Sequence, residues 1–296
     1  MKNKKLLSAI VSVLALTLAF TGCEKNKAST GNQTDFDFEN DITVVARDAA
    51  SGTRGAFHEI MGIVQKQGDT EVDNLVVGAL EFDGTDKVVT AVEGDKYGIG
   101  YISLGSVSDR TKAISVNGTE PTVENVKSGD YLVARPFLLV TKGTESDLVR
   151  DFLRFAESNQ GQKITTEMNF IGAAEAPTDY TASGMSGTIK VAGSTSVTPL
   201  MEKLQESYRQ LNPDVSFEMQ SNGSSQGIKA AIDGSYDIGM SSRELKEDEA
   251  TELNRHILAI DGIAVIVNNE NPTENLTSED ITSIYTGEII KWSEVK

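Results

Sequence analysis

Four short stretches of small polar residues follow apolar strand patterns in this sequence, and three of them open a helical pattern. They read ASGTRG at residues 50–55, GSTS at 193–196, NGSSQG at 222–227 and SSR at 241–243. The first amides of a helix lack partners within the helix and carry about half a positive charge. Glycine allows a close approach of the backbone, and serine and threonine hydroxyls add donors. The pattern therefore predicts turns that bind an anion.

Arg47 ends the strand pattern before the first of these turns. Its planar guanidinium can donate two parallel hydrogen bonds to a tetrahedral oxyanion, and Asp48 and other nearby acids would hold it in place. Ordinary helix capping is the alternative for each serine or threonine, and a surface ion pair is the alternative for Arg47. Four such turns in one chain, two of them with an adjacent arginine, favour an anion site.

A serine hydrolase is a remote alternative, because residues 223–227 fit the G-x-S-x-G pattern of a nucleophile turn with Ser225 at its centre. Such an enzyme needs a base, and the chain has only His58 and His256, neither of which offers a plausible triad in the order serine, acid, histidine. No metal-ligand spacing, Walker loop or dinucleotide fingerprint occurs. The sequence thus predicts a binding protein rather than an enzyme, with no catalytic residue, cofactor or metal.

The first 22 residues differ from the rest of the chain. Lysines at positions 2, 4 and 5 precede an uncharged apolar run over residues 6–20, which is too short for a comfortable membrane span and is typical of an export signal. Cys23 is the only cysteine, so no intramolecular disulfide can form. Its position resembles the lipidation site of a bacterial lipoprotein, although Phe20 stands where leucine is usual. Residues 23–41 are polar and are expected to form a disordered tether.

The composition is that of a soluble globular protein, with 39% hydrophobic and 24% charged residues in 296. A net charge of -17 argues against nucleic acid as a partner, because no basic cluster could release phosphate counterions. The negative charge does not exclude anion binding, since local amide and hydroxyl dipoles decide what a site binds.

Beyond residue 41, short apolar strand patterns alternate with helical patterns. This alternation predicts an α/β fold with largely parallel sheets covered on both faces. A segment rich in alanine, glycine, serine and threonine, residues 172–187, interrupts it and is predicted to be a linker between two halves. The predicted strands are 42–46, 99–103, 137–141, 189–192, 215–220, 237–240 and 263–267, and the predicted helices are 54–64, 87–93, 147–157, 160–168, 197–212, 227–233 and 278–285.

The chain resembles the phosphate-binding proteins of bacterial phosphate ABC transporters, which are extracytoplasmic solute-binding proteins. The resemblance rests on stretches that include GTIKVAGSTSVTPLMEKL, NGSSQGIKAAIDGSYDIGMSSREL, ARDAASGTRGAF and YGIGYISLGSV. It implies a type II periplasmic-binding-protein fold of two lobes, with two mixed or parallel sheets flanked by helices and two hinge crossovers. In the family the GSTS half comes first, whereas here the SGTRG half does, so the chain resembles a circular permutation.

The resemblance implies a domain division in which residues 1–22 are the lipoprotein signal and 23–41 the tether. Residues 136–266, including linker 172–187, form lobe I, and residues 42–135 and 267–296 form lobe II. The new chain ends, near Asp41 and Lys296, would meet at the surface of lobe II.

The family's ligand contacts can be carried over by motif. They imply phosphate binding by Thr195, Ser196, Ser224 and Ser242 of lobe I and by Arg47, Ser51, Gly52 and Thr53 of lobe II. Some relatives have an aspartate where this chain has Ser242, and that carboxylate accepts the proton of HPO4 and so excludes sulfate. Asp261 is a candidate for this proton-accepting role, and capping of the turn before Gly262 is its alternative.

The function that the resemblance implies is a monomeric receptor outside the cytoplasm, anchored to the cell membrane by a lipid on Cys23. It would bind inorganic phosphate between its lobes and deliver it to the permease subunits of an ABC transporter. A receptor for another oxyanion, such as sulfate or molybdate, and a phosphate sensor remain the alternatives.

Overall fold

The computed structural model of the protein describes residues 36–67 and 70–296, except for the side chain of Lys66. The expected signal segment, the lipidation candidate Cys23 and most of the expected tether lie outside these residues. Within the described part of the chain, no helix is both long enough and apolar enough to cross a membrane.

Strands and helices alternate along the described chain. The strands are β1 (Thr43–Arg47), β2 (Val64–Gln67), β3 (Thr70–Asp73), β4 (Leu80–Phe82), β5 (Gly98–Ser103), β6 (Lys112–Val116), β7 (Ala134–Lys142), β8 (Ile171–Gly172), β9 (Gly187–Gly193), β10 (Val215–Ser221), β11 (Ile238–Ser241), β12 (Leu253–Val267) and β13 (Asn275–Leu276). The α-helices are α1 (Gly52–Ile60), α2 (Thr85–Gly94), α3 (Val123–Ser128), α4 (Asp147–Glu157), α5 (Asn159–Glu167), α6 (Thr198–Leu211), α7 (Ser224–Asp233), α8 (Glu247–Glu252) and α9 (Ser278–Thr286).

Helix α6 shows how the sequence pattern produces an element. Leu200, Leu204 and Tyr208 recur every four residues and are all fully buried, because residues at this spacing lie on one face of a helix. Pro199 stands in the first turn, where its missing amide proton does no harm. The helix predicted over residues 197–212 is confirmed to within one residue at each end.

Most strands belong to one mixed sheet with the order β10-β9-β11-β7-β12-β5-β1-β4. At one end β9 pairs in parallel with β10 and β11, and at the other β1 pairs in parallel with β5 and β4. Between these parallel groups, β7 and β12 run antiparallel to each other and to their outer neighbours. The α/β prediction is confirmed, but the sheet is less parallel than the strand–helix alternation indicated.

Two large hydrophobic cores lie along this sheet. One contains residues between 137 and 259, including Phe152 and Tyr208, and we refer to the part of the chain around it as lobe I. The other contains residues between 36 and 133 together with residues between 263 and 292, including Tyr101 and Tyr285, and we refer to the part of the chain around it as lobe II. Ile263 and Val265 pack in the lobe II core, so the chain passes from one core to the other between Ala259 and Ile263.

The chain crosses between the two cores along β7 and β12, which lie side by side. Arg135 in β7 is the register partner of Asp261 in β12. The two crossing segments thus form an antiparallel pair of adjacent strands, which is the arrangement expected of a two-strand hinge.

Several elements could not be predicted from periodicity. The helix expected over residues 54–64 ends at Ile60, and Val64 begins the hairpin of β2 and β3. This hairpin lacks an apolar alternation, because the described side chains of its strands are exposed or half-buried. The short strands β4, β6, β8 and β13 and the short helices α3 and α8 were also absent from the prediction, since brief elements carry little periodic signal.

The two ends of the described chain meet on lobe II. Asp41 forms a β-bridge with Lys291, and the amide of Ile42 donates to the carbonyl of Ile290 at 2.8 Å. The Phe36 ring packs on Trp292 with ring centroids 6.1 Å apart. The described end of the expected tether is therefore part of the fold from Phe36 onward, because its aromatic residue is buried there.

Candidate functional site

Arg47, at the end of β1, is a buried cation that is 1% exposed. Its Nε donates to the Phe82 carbonyl at 3.1 Å, and its Nη2 donates to the Asp83 carbonyl at 3.2 Å and to Thr195 Oγ1 at 2.9 Å. Within the described residues, its side chain makes hydrogen bonds to carbonyl and hydroxyl oxygens and to no carboxylate. Burial lowers the pKa of Arg47, and the charge of Asp48 offsets part of this effect. A buried guanidinium in such surroundings suits an anionic ligand.

Hydroxyl groups of the two lobes meet beside Arg47. Thr53 Oγ1, in the first turn of α1, lies 2.9 Å from Ser196 Oγ, which precedes α6. Thr85 Oγ1, at the start of α2, lies 3.4 Å from both Thr195 Oγ1 and Ser196 Oγ. Since a hydroxyl can both donate and accept, these groups satisfy one another and can also turn toward an anion.

The second and third turns of lobe I lie against the same region. The Ser242 amide donates to Ser224 Oγ at 3.0 Å, and Ser194 Oγ donates to Ser242 Oγ at 2.9 Å. All three serines are buried. Buried hydroxyls need partners, so this cluster is fixed in position by its own hydrogen bonds.

Gly52 lies where the backbone of lobe II comes close to the serines of lobe I. A Cβ atom at this position would lie 2.3 Å from Ser224 Oγ and 2.8 Å from Ser242 Oγ. The amide of Ser225 also donates to the Ala50 carbonyl at 3.1 Å, which joins lobe I to the turn before α1. Only glycine fits here, because any side chain would collide with the opposite lobe.

Capping accounts for one of the predicted ligand residues. The Ser51 side chain accepts from the amides of Thr53 at 3.2 Å and Arg54 at 3.4 Å, as an N-cap residue does. Helices α6 and α7 begin without a side-chain cap hydrogen bond. Capping therefore explains Ser51 but not the polar residues at the starts of these two helices.

A chain of hydrogen-bonded groups in lobe II holds the backbone of Arg47. The Arg47 amide donates to the Tyr101 hydroxyl at 3.1 Å, and this hydroxyl lies 3.2 Å from His58 Nε2. Asp73 Oδ1 lies 2.9 Å from His58 Nδ1, and Arg54 joins Asp73 Oδ2 to the Arg47 carbonyl, with distances of 2.8 and 2.9 Å. Burial alone would raise the pKa of Asp73, but His58 and Arg54 outweigh it and hold this pKa well below its usual range.

Asp261, the proposed proton acceptor, lies on β12 with both carboxylate oxygens engaged. Ser103 Oγ donates to Oδ1 at 2.9 Å, and Arg135 Nη2 donates to Oδ2 at 3.1 Å. Burial raises the pKa of Asp261 to about 6, although Arg135 and Ser103 act in the opposite direction. Within the described residues, its hydrogen bonds reach none of the expected phosphate ligands directly.

The structure thus brings Arg47, Thr53, Thr195 and Ser196 together, with Gly52, Ser224 and Ser242 adjoining them. Sequence reasoning missed two further polar residues of this region, Thr85 and Arg135. Thr85 carried a usable signal, because FDGTD at residues 82–86 repeats the plan of a strand, a glycine and a threonine at a helix start. Arg135 carried none beyond its position as a lone charge in an apolar stretch.

Neither histidine is placed to serve Ser225 as a catalytic base. His58 lies between Asp73 and Tyr101, and His256 Nε2 lies 3.0 Å from Glu145. Across residues 36–67 and 70–296, no group of three or more histidine, cysteine, aspartate or glutamate side chains is arranged to hold a metal ion.

The fold agrees with comparisons to known proteins. A sequence-family model, the PBP superfamily domain, matches residues 11–160 and 173–296. The chain therefore belongs to the PBP superfamily, and its resemblance to phosphate-binding proteins of phosphate ABC transporters is confirmed.

Two streptococcal relatives match the chain over its whole length, whereas a relative from Bacillus subtilis matches only part of it. Phosphate-binding protein PstS 2 of Streptococcus pneumoniae is 40% identical over 297 residues, covering 100% of each chain. Its counterpart in Streptococcus agalactiae is 39% identical over 299 residues, covering 100% of this chain and 99% of its own. Phosphate-binding protein PstS of Bacillus subtilis is 30% identical over 113 residues, only 37% of this chain and 38% of its own.

A solved structure shares the fold. The crystal structure of a phosphate-binding protein of a phosphate ABC transporter from Streptococcus pneumoniae is 42% identical in sequence. It matches with a TM-score of 0.72, covering 87% of this chain and 100% of its own.

Proposed function

We propose that this protein is a receptor that binds inorganic phosphate between its two lobes. The observation that carries the proposal is Arg47, a buried guanidinium without a carboxylate hydrogen-bond partner in the described chain, which donates across the cleft to Thr195. Around it stand hydroxyls from both lobes, on Thr53, Thr85 and Ser196. A cation surrounded by hydroxyl groups suits a small tetrahedral oxyanion.

In the proposed mechanism, phosphate replaces hydrogen bonds that the two lobes now make to each other. Arg47, Ser51, Gly52 and Thr53 would contribute from lobe II, and lobe I would contribute Thr195, Ser196, Ser224 and Ser242. Only the closed arrangement offers all of these donors at once, so phosphate shifts the hinge equilibrium by its higher affinity for that state. No covalent bond is made or broken.

A group that accepts the proton of HPO4 is one means by which a site can select phosphate over sulfate. A site that leaves a buried polar group unpaired with the wrong ligand discriminates strongly. Asp261 remains our candidate for the source of this discrimination, and its engagement by Ser103 and Arg135 indicates an indirect effect. A site for sulfate or molybdate, or a sensory role, is the alternative.

The receptor is proposed to act outside the cytoplasm, tethered by a lipid on Cys23, and to deliver phosphate as a monomer to an ABC permease. The export signal pattern and the lone cysteine support this placement. Cys23→Ser should move the protein from the membrane fraction to the soluble fraction of fractionated cells. Equal membrane association of the variant would contradict the anchor.

We also propose that the chain is a circular permutation of the order found in other family members. The order of its motifs, the short match to the Bacillus subtilis relative and the meeting of Asp41 with Lys291 support this origin. The full-length matches to streptococcal relatives support an arrangement that several proteins share.

Titration calorimetry on the purified protein tests the proposed ligand. Phosphate, sulfate and molybdate would be titrated separately at pH 6 and pH 8, about two pH units apart, so that the protonation state of phosphate changes while sulfate stays unprotonated. We expect saturable binding of one phosphate per chain and much weaker binding of the other two ions. If sulfate or molybdate binds more tightly than phosphate, that ion is the ligand instead of phosphate. If none of the three ions binds, the protein is not an oxyanion receptor.

A further inference from the structure

Two buried charges lie on the crossing strands: Arg135, which is not among the residues expected to touch phosphate, and Asp261, the candidate proton acceptor. The side chains of Arg135 in β7 and Asp261 in β12 are 1% and 0% exposed, and Arg135 Nη2 lies 3.1 Å from Asp261 Oδ2. They are also backbone register partners. The ion pair therefore joins the two strands at the point where the chain changes from one hydrophobic core to the other.

Each member of the pair also holds a group in a different lobe. Arg135 Nη1 donates to the carbonyl of Ser242 at 3.1 Å, in the third polar turn of lobe I. Asp261 Oδ1 accepts from Ser103 Oγ at 2.9 Å, at the end of β5 in lobe II. One continuous set of hydrogen bonds thus runs from lobe II, through both hinge strands, to a turn that lies against the proposed phosphate site.

Stability alone is a poor explanation for this arrangement. Removing two charges from water is unfavourable, and apolar residues of similar volume often replace a buried ion pair without loss. Burial opposes charge on both partners, since it lowers the pKa of Arg135 and raises that of Asp261. A guanidinium supplies a fixed, directional contact, because its planar group donates hydrogen bonds to several acceptors at once. An apolar side chain supplies no such contact.

We infer that Arg135 is a positioning residue, oriented by Asp261, that fixes the Ser242 turn relative to the hinge. Closure of the lobes and completion of the phosphate site therefore occur together. The inference rests on the proposed function. Arg135 acts through the Ser242 carbonyl, and Ser242 in turn places its amide on Ser224 Oγ. This positioning role gives Asp261 an indirect effect on the bound phosphate, in place of direct acceptance of a proton.

The test compares phosphate affinities of the wild-type protein, Arg135→Gln, Asp261→Asn and the double variant. The double variant is decisive, because it leaves no uncompensated buried charge and so retains its fold more readily than either single variant. Asp151→Asn is the matched control. Asp151 is another buried carboxylate, and its Oδ2 accepts from Tyr180 and Ser183 of segment 172–187 and from Tyr208 of α6.

Titration calorimetry would be run on each protein after thermal melts establish that it is folded. We expect the double variant to bind phosphate about tenfold or more weakly than wild type, roughly the effect of losing one hydrogen bond to a charged group. The double variant should bind no more weakly than the worse single variant, since residues that act as a unit are not additive. Asp151→Asn should lower the melting temperature and leave phosphate affinity unchanged.

The outcomes separate the inference from the function on which it rests. If wild type binds phosphate and the folded double variant binds equally well, the positioning role is refuted and the receptor function stands. If Asp151→Asn weakens binding as much as the double variant does, the effect is general destabilisation and the inference also fails. If wild type binds no phosphate, both the function and the inference fall.

Ser103→Ala, which removes only one hydrogen bond to Asp261, should also weaken phosphate binding, by a smaller factor than the double variant does. An unchanged phosphate affinity would count against a contribution of Asp261 to the positioning of Arg135.

Discussion

Arg47 stands apart from most other arginines of the described chain in what its side chain contacts. Arg54, Arg110, Arg243 and Arg255 all pair with carboxylates, whereas Arg47 donates to carbonyls and hydroxyls. Carbonyl oxygens orient a guanidinium without neutralising it. The positive charge of Arg47 thus remains available to an anion within the cleft, where it is screened less than at the surface.

Replacing Arg47 by alanine should therefore weaken phosphate binding more than removing any single hydroxyl. A hydrogen bond to a charged group contributes about 1.5–3 kcal/mol, against about 1 kcal/mol for a neutral one. Calorimetry would compare Arg47→Ala with Thr53→Val, which deletes a hydroxyl at nearly constant volume. Arg255→Ala is the control, since Arg255 forms an exposed ion pair with Glu244 and should leave affinity unchanged. Equal losses for Arg47→Ala and Thr53→Val would contradict the assignment.

At the scale of elements, the proposed phosphate site depends on helix starts that approach one another where the two lobes meet. Helix α1 begins at Gly52, and its first turn packs against Ser224 at the start of α7. Such an approach is possible only where the backbone carries no side chain. The turns on the two lobes are thus complementary in shape as well as in polarity.

Gly52→Ala should prevent full closure, because the added methyl group would collide with Ser224 Oγ at 2.3 Å. We expect weaker phosphate binding and no ligand-induced decrease in the radius of gyration measured by small-angle X-ray scattering. Gly94→Ala is the matched control, since a Cβ there meets no atom within 4 Å. A Gly52→Ala protein that compacts and binds phosphate like wild type would show that this contact plays no part in closure.

Asp73→Asn should lower the free energy of unfolding in a pH-dependent way. The native-state pKa of Asp73 lies below its unfolded value because His58 and Arg54 favour the carboxylate. Its contribution is thus fully present above the unfolded pKa of about 3.9 and is lost as the pH falls toward the native pKa. With the side chain 30% exposed, we expect a loss of about 1–2 kcal/mol at pH 7.

Urea unfolding between pH 3 and pH 7, on either side of the unfolded pKa of about 3.9, would measure this difference. The gap between wild type and Asp73→Asn should narrow as the solution becomes more acidic. Asp86→Asn serves as the control, because the Asp86 side chain is 91% exposed beside Arg110 and contributes little. A gap that stays constant across this range would show that Asp73 acts through shape rather than charge.

Much of the fold was predictable, because its long helices and buried strands carry local periodicity. Helix α4, over Asp147–Glu157, has the predicted bounds, and Ser146 caps it by accepting from the Val149 amide at 3.2 Å. The turn with Arg47 was also predictable, because its residue types and their order are local features. Arg135 and Asp73 were not, since their roles come from partners 126 and 15 residues away in the chain.

At the scale of the whole molecule, the segment 172–187 is more than a spacer. Tyr180 is 7% exposed, and its hydroxyl donates to Asp151 Oδ2 at 2.5 Å. Its ring packs edge-on against Phe155, with ring centroids 5.3 Å apart. The segment predicted as a linker is therefore fastened to lobe I by a buried tyrosine.

Tyr180→Phe should destabilise the protein by about 1.5–3 kcal/mol, the contribution of a hydrogen bond to a charged group, without changing phosphate affinity. Urea unfolding measures the first effect and calorimetry the second. Ser186→Ala, at an exposed position of the same segment, should change neither. An unaltered free energy of unfolding in Tyr180→Phe would indicate that the segment only joins the two halves.

The central claim is that a tetrahedral oxyanion binds between Arg47 and the polar turns of both lobes. Crystals grown with arsenate test it most directly, because the anomalous scattering of arsenic locates the ion without reference to the protein. We predict one anomalous peak within hydrogen-bond distance, about 3 Å, of Arg47 and of hydroxyls on Thr53 and Thr195 or Ser196. A peak elsewhere on the protein, with the cleft containing only water, would contradict the account.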